Sequence, residues 1–94
     1  MEEASHHPDL QAFIESLRRL EGILQRHEKG LWSAKITRVR QVAEASDGNC
    51  VELFLAMYGG MGSFADLVLK APAQANDALH AERRRAYHLA VALK

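Results

Sequence analysis

A single cysteine, Cys50, excludes an internal disulfide and with it the stapled scaffolds of small secreted proteins. Net charge is also missing. Twelve Lys and Arg stand against twelve Asp and Glu, which leaves no general pull toward nucleic-acid phosphates or anionic lipid. Aromatics are few, at one Trp, two Tyr and three Phe, and most fall at core spacing, so no stacking platform for unpaired bases is expected. The longest apolar run, 50–58, is broken by Glu52 and falls far short of the roughly 20 residues a membrane span needs. The start, Met1-Glu2-Glu3-Ala4-Ser5-His6-His7, is acidic and polar, the reverse of a signal peptide's order. Together with the lone cysteine it points to a reducing cytoplasm. No internal repeat and no low-complexity tract occurs.

What is present is the makings of one modest core. Hydrophobic residues make up 48% of 94 positions, and a chain of that length holds a single domain. We read 1–7 as a disordered tail and 8–94 as a single helical domain. Pro8 and Asp9 suit a first helical turn, where a missing N–H costs nothing and an acid meets the positive dipole end. Leu10, Phe13, Ile14, Leu17, Leu20 and Leu24 then recur at threes and fours, predicting a helix over 8–29 that stops at Gly30. The β-branched stretch 36–42 invites a strand. However, Trp32, Ile36, Val39 and Ala43 follow helical spacing, so a second helix is expected over 31–45. Lys35, Arg38, Arg40, Gln41 and Glu44 then face outward.

Asn49 and Glu52 resemble a capping box, opening a third helix over 50–58 that is apolar almost all round and therefore expected at the centre. Gly59-Gly60 ends it. An irregular stretch, 61–75, precedes a last helix from Asn76 to Lys94, with Glu82, Arg83, Arg84 and Arg85 on its outer face. The expected fold is all-α: a compact four-helix arrangement with an irregular glycine-rich segment between helices three and four. Its core should include Phe13, Leu17, Leu20, Trp32, Ile36, Val39, Phe54, Leu55, Leu67 and Leu89.

Chemical signatures are thin. Gly59-Gly60-Met61-Gly62-Ser63 has the glycine content of a phosphate-cradling loop, but the Gly-Lys-Ser/Thr ending is absent and a helix, not a strand, precedes it. A tight interhelical turn explains it better. His6 and His7 lie in the tail, and His27, His80 and His88 lack a ligand partner at i+3 or i+4, so no metal site is expected. Cys50 adjoins a dense apolar helix and reads as buried rather than nucleophilic. Arg83, Arg84 and Arg85 spread across about 200° of a helix and form no stripe. Asp66 has no second carboxylate near it in sequence for acid–base work.

No catalytic or metal residue and no cofactor is expected. The reading is a non-enzymatic, cytosolic protein-interaction module, either a regulator or an immunity-type protein, whose partner is another protein rather than nucleic acid or membrane. The alternative is a small-ligand or anion-binding protein using the glycine-rich 59–66 loop. Tyr58, Gly59, Gly60, Gly62, Ser63, Phe64 and Asp66 are the residues that either bind or define the fold.

The segment Tyr58-Gly59-Gly60-Met61-Gly62-Ser63-Phe64-Ala65-Asp66-Leu67-Val68-Leu69 resembles the core of a family of small, uncharacterised bacterial proteins. Its pattern is Tyr-Gly-Gly-Met-Gly-Ser-(Phe/Leu)-Asn-Asp-Leu-Val. The likeness extends loosely to the helix around Trp32 and to Ala86-Tyr87, and Ala65 stands where the pattern has Asn. The resemblance implies a bacterial, cytosolic origin and an all-α fold, and no activity. It suggests that 58–69 defines the fold or a binding surface.

Overall fold

Helical spacing of apolar residues is realised in four helices. A computed structural model of the chain places α1 at Pro8–His27, α2 at Leu31–Glu44, α3 at Asn49–Leu55 and α4 at Ala73–Leu93. The structure describes residues 8–27, 30–45, 48–58, 64, 67–69 and 72–94. Among these there is no strand, and the β-branched 36–42 stretch is helical. The expected tail, 1–7, lies outside the described residues.

α1 is the central strut, packed against α2 on one side and α4 on the other, with α3 bridging α2 and α4. Its stripe of Phe13, Ile14, Leu17, Leu20 and Leu24 is buried. α4 meets the core through Leu79, Ala86 and Ala90, and two alanines on that face let the backbones approach closely. Of the expected core, Phe13, Leu17, Leu20, Ile36, Val39 and Phe54 are buried, while Trp32, Leu55, Leu67 and Leu89 are partly buried and pack against it.

All six aromatics join one network. Phe54 is edge-on to Phe13 at 5.4 Å, to Tyr58 at 5.3 Å and to Phe64 at 6.2 Å between centroids. Trp32 extends it from Phe64 at 5.3 Å, and Tyr87 from Tyr58 at 5.0 Å. Edge-to-face contact sets the positive ring edge against the negative face, which favours this geometry beyond the area buried.

The boundaries differ from expectation in three places. Gly48, not Asn49, occupies the N-cap of α3 and has no side chain to cap with. α3 ends at Leu55, and Met57 and Tyr58 donate to the carbonyls of Phe54 and Leu55, a tightened last turn. α4 starts at Ala73 because Pro72, at φ −56° and ψ 156°, is an extended N-cap whose carbonyl receives the N–H groups of Ala75 and Asn76.

Three charged residues expected to face outward do not. Arg40 lies between α1 and α2, with its Nε 2.7 Å from Glu21 Oε1 and its Nη1 2.8 Å from Glu44 Oε1. Thr37 also donates to Glu21, and Arg18 to Glu44. Glu82 accepts a 2.6 Å hydrogen bond from the fully buried Ser16 hydroxyl of α1. Arg83 turns toward the α3–α4 connection, as described below. All three occupy stripe positions: 36-40-43, 79-82-86 and 79-83-86-90 are helical spacings. Hydropathy had assigned these residues to solvent; periodicity assigns them inward, and hydrogen-bond partners make that burial tolerable.

Burial raises the Glu21 carboxyl, but hydrogen bonds from Arg40 and Thr37 together with the Arg40 charge outweigh it and hold the group below its ordinary value of 4.5. Glu44 is likewise held low, with burial opposed by Arg18 and Arg40. Such carboxylates stabilise the fold above pH 4.5, and that contribution is lost as pH falls through the lowered folded values. Denaturant melts across the acid range should therefore show stability dropping below that point. The drop should be shallower in Glu21→Gln.

Two glycines should respond oppositely to alanine. Gly30, at φ +99°, sits in the left-handed region just before α2, so Gly30→Ala should cost about 1–2 kcal/mol. Gly22 is inside α1 with nothing within 4 Å of an added Cβ, so Gly22→Ala should stabilise by roughly 0.5–1 kcal/mol. Thermal melts of both variants give the signs directly.

Candidate functional site

Tyr58 and Phe64 are the two residues of the glycine-rich candidate set that the structure describes; Gly59, Gly60, Gly62, Ser63 and Asp66 lie outside the described residues. Tyr58 and Phe64 are brought together, edge-to-face at 5.7 Å. Phe64 is fully buried, rests on Trp32 and donates its N–H to the Met57 carbonyl at 2.9 Å. Both side chains thus act as core anchors on either side of the glycines.

α4 fastens this connection with polar side chains. Arg83 Nη1 donates to the carbonyls of Phe64 and Leu67, each at 3.0 Å, and its guanidinium lies 5.8 Å from the Phe64 ring centre. The Asn76 carboxamide accepts from Leu69 N–H at 2.7 Å and donates to Leu69 C=O at 3.0 Å, imitating one rung of a strand pairing. The Tyr58 hydroxyl donates to the Arg83 carbonyl at 3.3 Å. Backbone outside a helix must find partners elsewhere, and here one face of α4 supplies them.

Beside these anchors Tyr58, His80, Arg83, Arg84 and Tyr87 line a cleft of about 330 Å³. Arg83 Nη2 is 3.4 Å from His80 Nδ1. Burial pushes the Tyr58 phenol far above the ordinary tyrosine range, against the opposing Arg83 charge, so its hydroxyl stays protonated.

A second concavity is apolar. Between α2 and α3 lies an open groove of about 370 Å³ lined by Leu31, Ala34, Lys35, Arg38, Val39, Leu53, Ala56 and Met57. Ala34 and Ala56 have short side chains that leave the space open, and Leu31 on its edge is 62% exposed. Leu31, Ala34, Lys35 and Arg38 follow i, i+3, i+4, i+7 along α2, an edge about 10 Å long. The Lys35 ammonium lies 5.2 Å from the Trp32 ring centre. Sequence reasoning did not single this groove out. The all-round apolarity of the third helix predicts a central, covered element, yet Leu53 is only partly buried and Ala56, just past its end, is exposed on the groove side.

Among the described residues no three His, Cys, Asp or Glu side chains converge on a metal-sized site. The Cys50 thiol is fully buried. No helix formed by the described residues is long and apolar enough to cross a membrane.

The class these observations define is a small all-α protein with an apolar surface groove. Residues 25–76 match the family described as a domain of unknown function, DUF6966, over more than half of the 94 residues, and the chain belongs to that family. No curated protein and no solved structure matches it. The matched segment runs from the end of α1 through α2, α3 and the anchored connection to Asn76, and it contains the whole lining of the apolar groove. His80, Arg83, Arg84 and Tyr87, four of the five residues that line the cleft beside α4, fall beyond it.

Because the Tyr58 phenol is raised in the folded state, the unfolded chain ionises first on the alkaline side. Stability should fall as pH climbs past tyrosine's ordinary value of 10.0. Tyr58→Phe should flatten that limb while costing about 1 kcal/mol or less at neutral pH for the lost hydroxyl bond. Urea melts at pH values on both sides of the ordinary tyrosine range would test both parts.

Proposed function

We propose that this chain is a non-enzymatic, cytoplasmic protein-binding module of a regulatory or immunity type, and that its partner docks in the groove between α2 and α3. The observation that carries this reading is the exposure of Leu31 at 62% beside an open apolar groove. Leaving a large aliphatic side chain in water forfeits stabilisation that burial returns, and grouped apolar exposure marks binding surfaces. The family match supports the choice, since the groove lies wholly inside the matched segment.

A second reading, binding of a small anion, has one observation in its favour: Arg83, Arg84 and His80 share a cleft with two tyrosines. Arg83 is already committed to two backbone carbonyls there, which leaves less of its charge for a ligand.

Photo-crosslinking in living cells separates the two. A photoreactive residue at Ala34 should trap a discrete partner, and one at Arg84 should not. The trapped protein, purified and recombined with this chain, should bind the wild type and lose at least tenfold affinity with Leu31→Glu. A melting temperature raised by phosphate or sulfate and unchanged by the partner would favour the anion reading instead.

A further inference from the structure

Resting on the reading of the α2–α3 groove as a docking site, we infer the partner's chemistry: it presents a short, acidic amphipathic helix. That helix lies along α2 with its apolar face in the groove and its carboxylates against Lys35 and Arg38.

Shape sets the first requirement. The α2 edge spans two turns, and the space left over Ala34 and Ala56 is open at the surface rather than enclosed. A helix offering apolar residues at i, i+3, i+4 and i+7 matches such an edge in length and spacing. Small ligands are held by a few converging polar groups, whereas the only polar side chains here are the two cationic ones at the rim. Single-stranded nucleic acid would need rings to stack on, and the groove lining has none.

Charge sets the second requirement. Arg18, Arg19, Arg40 and Arg85 each lie within ion-pair distance of a carboxylate. Among the described residues Lys35 and Arg38 have no such partner, and the groove lining contains no acid. The rim is therefore a basic pair on a protein whose formal net charge is zero. A second copy of this chain is a poor occupant, because a twofold contact through the groove would bring the two basic rims together. A partner helix flanked by Asp or Glu meets both cations and buries Leu31 at once.

The test uses three synthetic peptides against the full chain. One is roughly three turns long, with Leu at i, i+3, i+4 and i+7 and Glu on both flanks. Its twin carries Lys for Glu, and the third is the acidic peptide with a central Pro. Amide shifts and affinities are followed by nuclear magnetic resonance titration at low and at physiological salt. The acidic peptide should shift amides within 31–39 and 53–57, weaken with salt and fail when it carries Pro. Lys35→Glu with Arg38→Glu should weaken it by about tenfold or more and transfer preference to the basic twin. Ala34→Phe, at an exposed position, should block either peptide without lowering the melting temperature.

Equal binding of the two twins overturns the acidic partner and leaves the docking groove standing. Absence of groove shifts with the acidic peptide at millimolar concentration overturns the inference. If the crosslinked partner also maps away from Ala34, the docking reading falls with it. A wild-type dimer in sedimentation that Leu31→Glu disperses would make a second copy the occupant and overturn the proposal.

Discussion

Phe54 stands edge-on to Phe13, Tyr58 and Phe64, and that contact draws on every part of the fold. Phe13 comes from α1, Phe54 from α3 and Phe64 from the connection that follows. Trp32 of α2 joins through Phe64, and Tyr87 of α4 joins through Tyr58. A chain with so few rings has placed one in each element, so the elements share a single meeting point rather than a set of pairwise seams. Each ring pair contributes about 0.5–1.5 kcal/mol beyond its buried area, and shifting Phe54 of α3 disturbs three pairs at once. The seven-residue α3, too short to persist alone, is held because Phe54 lies at that point.

Polar side chains complete what packing begins. Ser16 with Glu82 joins α1 to α4, and Glu21 with Arg40, Thr37 and Glu44 joins α1 to α2. Arg83 and Asn76 hold the α3–α4 connection through its backbone. Apolar stripes tolerate sliding and rotation, whereas a half-buried carboxylate or carbonyl accepts only the register that pairs it. The helices therefore meet in one alignment.

The first two helices were readable because spacing alone identifies a buried stripe, and Phe13 through Leu24 and Ile36 through Ala43 follow it closely. Arg40, Glu82 and Arg83 were misassigned because their charge was weighed above their position on the stripe. The start of α4 was misplaced because Pro72 caps it, which freed Asn76 for Leu69. Of the glycine-rich set, Tyr58 and Phe64 proved to be anchors, and the other five lie beyond what the structure describes. The groove could not be read from any one segment. Ala34 belongs to α2 and Ala56 is the residue that follows α3, and periodicity tells which face turns inward, not what space two neighbouring faces leave between them.

Trp32 occupies an unusual position in this arrangement. Its indole contacts both Phe64 of the connection and the Lys35 ammonium at the groove rim. It is the only tryptophan of the chain. Its light emission, excited apart from the tyrosines, therefore reports from the boundary between the anchored connection and the groove. Loosening of Phe64 and neutralisation of Lys35 both alter that one fluorophore's surroundings. The molecule thus carries an intrinsic optical probe, free of any attached dye, for the surroundings of Phe64 and for the rim of the groove.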